Sequence, residues 1–363
     1  MILHYYFARK FLWTFLGITG LFVLLLALID IVDELQDFPD LPFADVLEIV
    51  LLNIPHTNYE ILPLVLILAA VALFVRLARS SELVVLRAAG RSGLRSLLGP
   101  LTVAALIGIV SITMLNPIVA ASSKRYQDVK NAYRGGGESV LALSAEGLWL
   151  RQGDAMGQTV IHAARASSDV SVLYDATFIA FSPAGEPLRR ITARSARLGD
   201  GEWVLRGAKT WDLETDINAE ATAQYFPMLI VPSALTQERI IDSFGKPEYI
   251  SLWDLPDFIE ELEEAGFSAR RYAVWYQMEL ARPLFLMALM LIAAAFTMRH
   301  ARTTSTGISV LSAIMLGFTL YYIRNFAQVL AENGQIPVLL AAWAPPVASF
   351  LLAFGIVLHM EDG

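Results

Sequence analysis

The chain has 363 residues, 56% of them hydrophobic and 17% charged, with a net charge of −8 and a mean hydropathy of +0.53. That balance is far from a soluble globular average and reads as an integral membrane protein, while the acidic excess argues against nucleic-acid binding, which needs a basic surface. The absence of cysteine excludes disulfides, thiol catalysis and cysteine-ligated metal sites, and identifies no compartment.

Apolar runs near 11–32, 52–75, 97–120, 276–298, 307–330 and 338–359 predict six transmembrane helices, each close to the ~20 residues needed to cross the hydrocarbon core. The first, FLWTFLGITGLFVLLLALI, follows Arg9 and Lys10. It is longer than a signal-peptide core and no small-residue cleavage site follows, so it reads as a retained span. Arg9 and Lys10, then Arg76, Arg79, Arg87, Arg91 and Arg95, then Arg299 and Arg302 mark the cytoplasmic ends. Both termini are thus expected in the cytoplasm, with Arg270, Arg271, Arg282 and Arg324 as counterexamples on the far side.

Between spans two and three lies SSELVVLRAAG, residues 80–90. Ser80 or Ser81 can cap a short helix, Glu82 sits in its favourable first turn, Leu83, Val84 and Leu86 offer apolar surface, and Gly90 ends it. Such a helix fits a groove on a soluble partner or lies on lipid with its arginines at anionic headgroups.

Residues 121–250 change character. GLWLRQG, QTVIHAA, VSVLYDATFIAFS, LRRITARSARL and EWVLRGAKTWDL are short, β-branched and aromatic, and often alternating, with turns at SPAGEP (182–187) and GDGE (199–202). They predict an antiparallel all-β domain inserted outside the membrane. Residues 251–275 read as an amphipathic helix and connector, with Ser251 and Asp254 as a capping box and Gly266 as the stop. The chain divides accordingly into 1–120, with three spans and helix 80–90, then 121–250, 251–275, and 276–363 with the last three spans.

The search for chemistry returns little. GKP at 245–247 lacks the glycine and hydroxyl residue of a phosphate loop, the five histidines are scattered, and GRSGL at 90–94 has Leu94 where a nucleophile elbow needs glycine. No cofactor is implied. Asp30, Asp33, Glu60, Arg282 and Arg324 lie near the outer membrane ends. They either snorkel to headgroups or, for Arg282 and Arg324, face a cavity and meet an anionic ligand, which a guanidinium fork suits.

TFLGITGLFVLLLALIDIVDEL, SSELVVLRAAG, the β-segment introduced by LNP and EGLWLR, SARRYAVWYQMELARPL, and the closing GFTLYYIRN and NGQIPVLLAAWAPP together resemble the LptF/LptG permeases of lipopolysaccharide export. The VDEL ending of span one and the GQIPVLLAAWAPP tail are more like the LptG branch, with LptF as runner-up. The resemblance implies a half-transporter of six spans with a periplasmic jellyroll-like β-domain in the bacterial inner membrane. It implies partners as well: a paralogous LptF-like permease, a cytoplasmic LptB-like ATPase, an LptC-like periplasmic protein, and lipopolysaccharide as substrate. Glu82 occupies the family's coupling position, so Glu82, Leu83, Leu86 and Arg87 are implied for ATPase docking, and Lys130, Arg134, Arg282 and Arg324 are the candidates for the substrate. Lys124 and Arg125 belong to the same basic cluster as Lys130 and Arg134, which can equally be an ordinary juxtamembrane group. Lysines that LptG relatives often carry at the outer end of span one are replaced here by Asp30, Gln36 and Asp37, so that contact is not carried over. Other readings are a membrane subunit of a different ABC-type lipid or lipoprotein exporter, an intramembrane enzyme using Asp30, Glu60 and Arg282, and a structural anchor.

Overall fold

A computed structural model describes residues 2–80, 82, 93–133, 141–144, 147–154, 157–167, 171–183, 185–199, 201–213, 220, 223–233, 235–236, 240, 246–264, 267–298 and 306–362. They form two units, one of Met1–Lys130, Glu248–Leu255 and Arg270–Gly363, the other of Asn131–Pro247 and Pro256–Ala269. The helices are α1 (Ile2–Asp37), α2 (Phe43–Arg79), α3 (Gly93–Val110), α4 (Asn116–Tyr133), α5 (Leu255–Glu264), α6 (Arg270–Leu280), α7 (Arg282–Thr297), α8 (Thr306–Glu332) and α9 (Val338–Asp362). All but α5 build the first unit.

Among the described residues, Leu3–Asp37, Phe43–Arg79, Gly93–Lys130, Thr306–Glu332 and Val338–His359 are each long and apolar enough to cross a membrane. The pair α6 and α7, bent by 48°, makes a sixth if taken as one broken span. The break has a local cause: Pro283 sits in the first turn of α7 and has no N–H to return to the Glu279 carbonyl. Taken as one span, the pair begins at Arg270, ahead of the expected start near 276, and is interrupted before Arg282. A second irregularity joins α3 to α4, where Ser111–Leu115 form a π-helical turn directly before Asn116 and Pro117. Pro117 again removes a ladder donor, and one wider turn absorbs the missing bond.

α7 is the centre of this unit. Phe285, Leu286 and every residue from Ala288 to Ala295 are buried, because α2, α3, α8 and α9 all pack on it. A helix apolar on every side suits that place. Its approach to α3 depends on Gly108, where a Cβ would lie 2.5 Å from the Cα of Pro283; small residues let membrane helices come this close. The outer faces remain apolar and exposed, with Leu16, Leu21, Leu24 and Leu28 on α1 and Ile308, Leu311, Met315, Tyr322 and Phe326 on α8.

The second unit is a seven-stranded antiparallel sheet, β1 (Leu141–Ser144), β2 (Gly147–Asp154), β3 (Gly157–Ala166), β4 (Val172–Phe181), β5 (Pro187–Gly199), β6 (Glu202–Asp212) and β7 (Gln224–Pro232), in chain order throughout. Its connections are those of a meander and differ from the jellyroll-like expectation, since a jellyroll in the strict sense carries Greek-key crossovers. The sheet is nonetheless rolled: Gln152 on β2 donates to the Pro232 carbonyl on β7 at 3.3 Å and accepts from the Ser233 hydroxyl at 2.9 Å. One crease accounts for part of the curl. Pairing skips Ala164 and Asp175, then Asp175 and Arg194, then Arg194 and Gly207, then Gly207 and Pro227, always without a change of register. Asp175 and Gly207 have positive φ of 51° and 62° there. Across that line the buried positions step by three rather than two, from Ala163 to Ala166, Leu173 to Ala176, Ala193 to Ala196 and Leu205 to Ala208. The crease thus keeps one face inward on both sides of the bend. Trp203 and Phe178, edge to face at 5.9 Å, fill the interior.

Candidate functional site

Among the described residues of the helical unit, three places bring charged groups of different helices or helix segments together. The first is where α2 ends. Glu82 lies just past the α2 C-terminus and accepts from Lys10 of α1 at 2.8 Å, from Tyr6 at 3.2 Å and from Ser80 at 2.8 Å. Partial burial alone would raise its carboxyl pKa. The hydrogen bonds from Lys10 and Ser80 outweigh that, and hold it below the ordinary carboxylate value. Glu82 is therefore an anion joined to the first turns of α1. Leu83, Leu86 and Arg87, the rest of the expected docking set, lie outside the described residues.

The second place is the far end of the same helices. Lys130 of α4 donates to Glu34 of α1 at 2.7 Å and to Tyr126 at 2.9 Å, lies 3.6 Å from Asp37, and Tyr126 donates to the same Glu34 oxygen at 2.7 Å. Asn53 of α2 donates to Asp30 at 3.0 Å, so three helices are tied together here. Glu34 is buried, which explains why it holds a cation: an unpaired carboxylate at such a site is costly. Lys130, expected at a lipid phosphate, has its charge compensated within the chain. Arg134 lies outside the described residues.

The third place is the break between α6 and α7. Glu279 is fully buried, is paired with Arg282 at i,i+3, and accepts from the Tyr59 hydroxyl of α2. Arg282 also donates to the Tyr59 carbonyl at 3.2 Å and lies 3.9 Å from the centre of that ring. Arg324 of α8 donates to the Met278 carbonyl at 3.3 Å and lies 5.5 Å from the Phe285 ring. Both arginines are under a tenth exposed, and the Nε of each has no hydrogen-bond partner among the described residues. Arg282 is thus ion-paired with Glu279, while Arg324 is held by a carbonyl and a ring. The pairing of Arg282 and Arg324 near one point was legible as a shared depth in the membrane; the partners were not. Tyr59 lies 220 residues from Glu279, and nothing local marks either as the other's contact.

None of these clusters places a nucleophile against a base. They join helices: α1 to the end of α2, α1 to α4, and α2 to the broken span. Comparisons with known proteins identify the chain's relatives. Two LptG lipopolysaccharide export system permease proteins resemble the chain along most of their length. The one from Escherichia coli (strain K12) is 23% identical over 310 residues, 85% of this chain and 84% of that protein. The one from Haemophilus influenzae is 21% identical over 317 residues, 86% and 85% of the two. The family model for the lipopolysaccharide export system permease LptF/LptG matches residues 5–359, and with that span covered the chain belongs to this family of multi-pass inner-membrane permeases.

Proposed function

We propose that the chain is the LptG-like, non-catalytic permease subunit of an ABC-type exporter, which takes lipopolysaccharide from the outer leaflet of the inner membrane and is driven by a separate LptB-like cytoplasmic ATPase. It pairs with an LptF-like paralogue, and an LptC-like protein receives the lipid on the periplasmic side, where the β-unit lies; both termini are cytoplasmic. The observation that carries the coupling is Glu82, an ionised carboxylate at the end of α2 that also grips Lys10 and Tyr6 of α1. A force applied there reaches two spans at once. The bare apolar faces of α1 and α8 supply surface for the paralogue and for lipid. Leu83, Leu86 and Arg87 complete the docking surface. On the substrate side, Arg324 is the better-placed cation, because it has no carboxylate of its own among the described residues. Arg282, Lys130 and Arg134 act beside it once lipid or the paralogue draws Glu279 and Glu34 away.

Copurification tests the coupling. The wild-type chain brings down the ATPase, and Glu82→Lys, which sets a cation where an anion is needed, weakens that association roughly tenfold or more. Undiminished ATPase binding and unchanged growth in Glu82→Lys would overturn the coupling role. Depleting the chain tests the substrate: lipopolysaccharide accumulates in the inner membrane, and accumulation of a different lipid would point to another exporter.

A further inference from the structure

Beside the Lys10 and Glu82 pair, α1 and α2 leave an open groove of about 550 Å³ lined by Tyr6, Arg9, Lys10, Trp13, Gly17 and Arg76, among others. Its rim is cationic. Arg9 and Arg76 are exposed, and neither guanidinium has a hydrogen-bond or ion-pair partner among the described residues. Lys10 is engaged by Glu82, and among the described residues no carboxylate lines the groove. Below the rim the groove runs onto apolar surface: Trp13 is 65% exposed, and Leu12, Leu16 and Leu21 continue the bare face of α1. The floor is open at Gly17, where a Cβ would meet nothing within 4 Å.

We infer that this groove binds the headgroup of an anionic phospholipid, with the phosphodiester between Arg9 and Arg76 and the acyl chains along α1. Three features favour a lipid over a soluble anion. The cations stand at the end of a membrane-length helix, where basic pockets between spans take lipid headgroups. Trp13 lies where interfacial aromatic rings anchor. The surface leading away from the guanidinium groups is apolar for several turns, which a free phosphate would not use. The volume falls in the ~300–1,000 Å³ range usual for small-molecule sites. The site goes beyond the export reading, since it lies at the opposite end of α1 from the Glu34 and Lys130 cluster and requires no lipopolysaccharide.

Native mass spectrometry of the detergent-solubilised full chain, with phosphatidylglycerol or phosphatidylethanolamine added, reads the site directly. Wild type retains phosphatidylglycerol in preference to phosphatidylethanolamine. Arg9→Gln with Arg76→Gln lowers phosphatidylglycerol affinity about tenfold, while Arg197→Gln with Arg206→Gln, an equal charge loss on exposed positions of β5 and β6, does not. Gly17→Leu fills the groove with every charge kept and lowers retention too. Equal retention of the two lipids, or an equal effect of the two charge-removing pairs, would overturn the site. So would undiminished retention in Gly17→Leu, which would reduce the effect to diffuse attraction. Copurification of the ATPase with the Arg9 and Arg76 variant separates this inference from the coupling role, because Glu82 and Lys10 stay intact and the ATPase is still recovered.

Discussion

Removing Glu279 leaves Arg282 buried with no ion-pair partner among the described residues. Breaking a buried pair by truncating one partner costs about 3–5 kcal/mol, because the other charge stays desolvated. Glu279→Ala should therefore lower the thermal stability of the purified chain markedly, and Glu279→Leu combined with Arg282→Leu should lower it less; a larger loss in the double variant would show that the pair is not the source. Lys130 is subject to the same logic at the other end. Lys130→Ala strands the buried Glu34 and so should destabilise the chain in the absence of any lipopolysaccharide, whereas a residue serving only the substrate would leave stability unchanged. Glu82 gives a pH dependence. Its pKa is depressed in the folded chain, so the contribution of its bonds is complete above the ordinary carboxylate value and is lost as pH falls through the lower folded value. The stability difference between wild type and Glu82→Gln should accordingly be flat from neutral pH down to the ordinary carboxylate range and vanish only in stronger acid, as a thermal melt series would show.

Gly108 decides how closely α3 can approach α7, and only the absence of a side chain allows the Pro283 ring into that space. Gly108→Leu should cost ~1–3 kcal/mol or more through overpacking, measured by thermal unfolding in detergent. At this scale the sequence is readable where physics is local. The apolar runs of the spans, the SPAGEP turn with Gly185 at φ 87°, and the GDGE turn with Gly201 at φ 80° stand where their residue types place them. Ser251 marks a turn and accepts from the Trp253 N–H at 3.3 Å, yet the helix starts only at Leu255, four residues beyond it. β7 escapes a strand search because Pro227 interrupts QYFPMLIVP, and it is tolerated since it falls on the crease, where no ladder bond is made. The crease is hidden in the same way: its signature is a slip from two to three in the inward spacing, as at Ile191, Ala193 and Ala196, which reads as imperfect alternation until the neighbouring strands are seen to slip on the same line.

For the whole molecule, the contacts form a chain through which the proposed ATPase would act: a pull at Glu82 would pass to α2 and, through Lys10, to α1, from α2 through Tyr59 to Glu279, and from α1 through Glu34 to Lys130. Arg282 and Arg324 could be named as candidates from the residues alone because charge in a mostly apolar chain is rare and stands out, whereas Glu82 and Lys130 are named through the resemblance to the family. Their partners could not be, because each ion pair across helices is a tertiary fact: Lys10 meets Glu82 at a separation of 72 residues and Lys130 meets Glu34 at 96. The central claim is that this chain moves lipopolysaccharide at the expense of ATP hydrolysed elsewhere. It is tested most directly in proteoliposomes holding the chain with its paralogue and the ATPase, by measuring lipopolysaccharide transferred to a soluble LptC-like acceptor. Transfer should require ATP and fall at least roughly tenfold with Glu82→Lys in this subunit; transfer that proceeds equally without ATP, or is untouched by Glu82→Lys, would contradict the account.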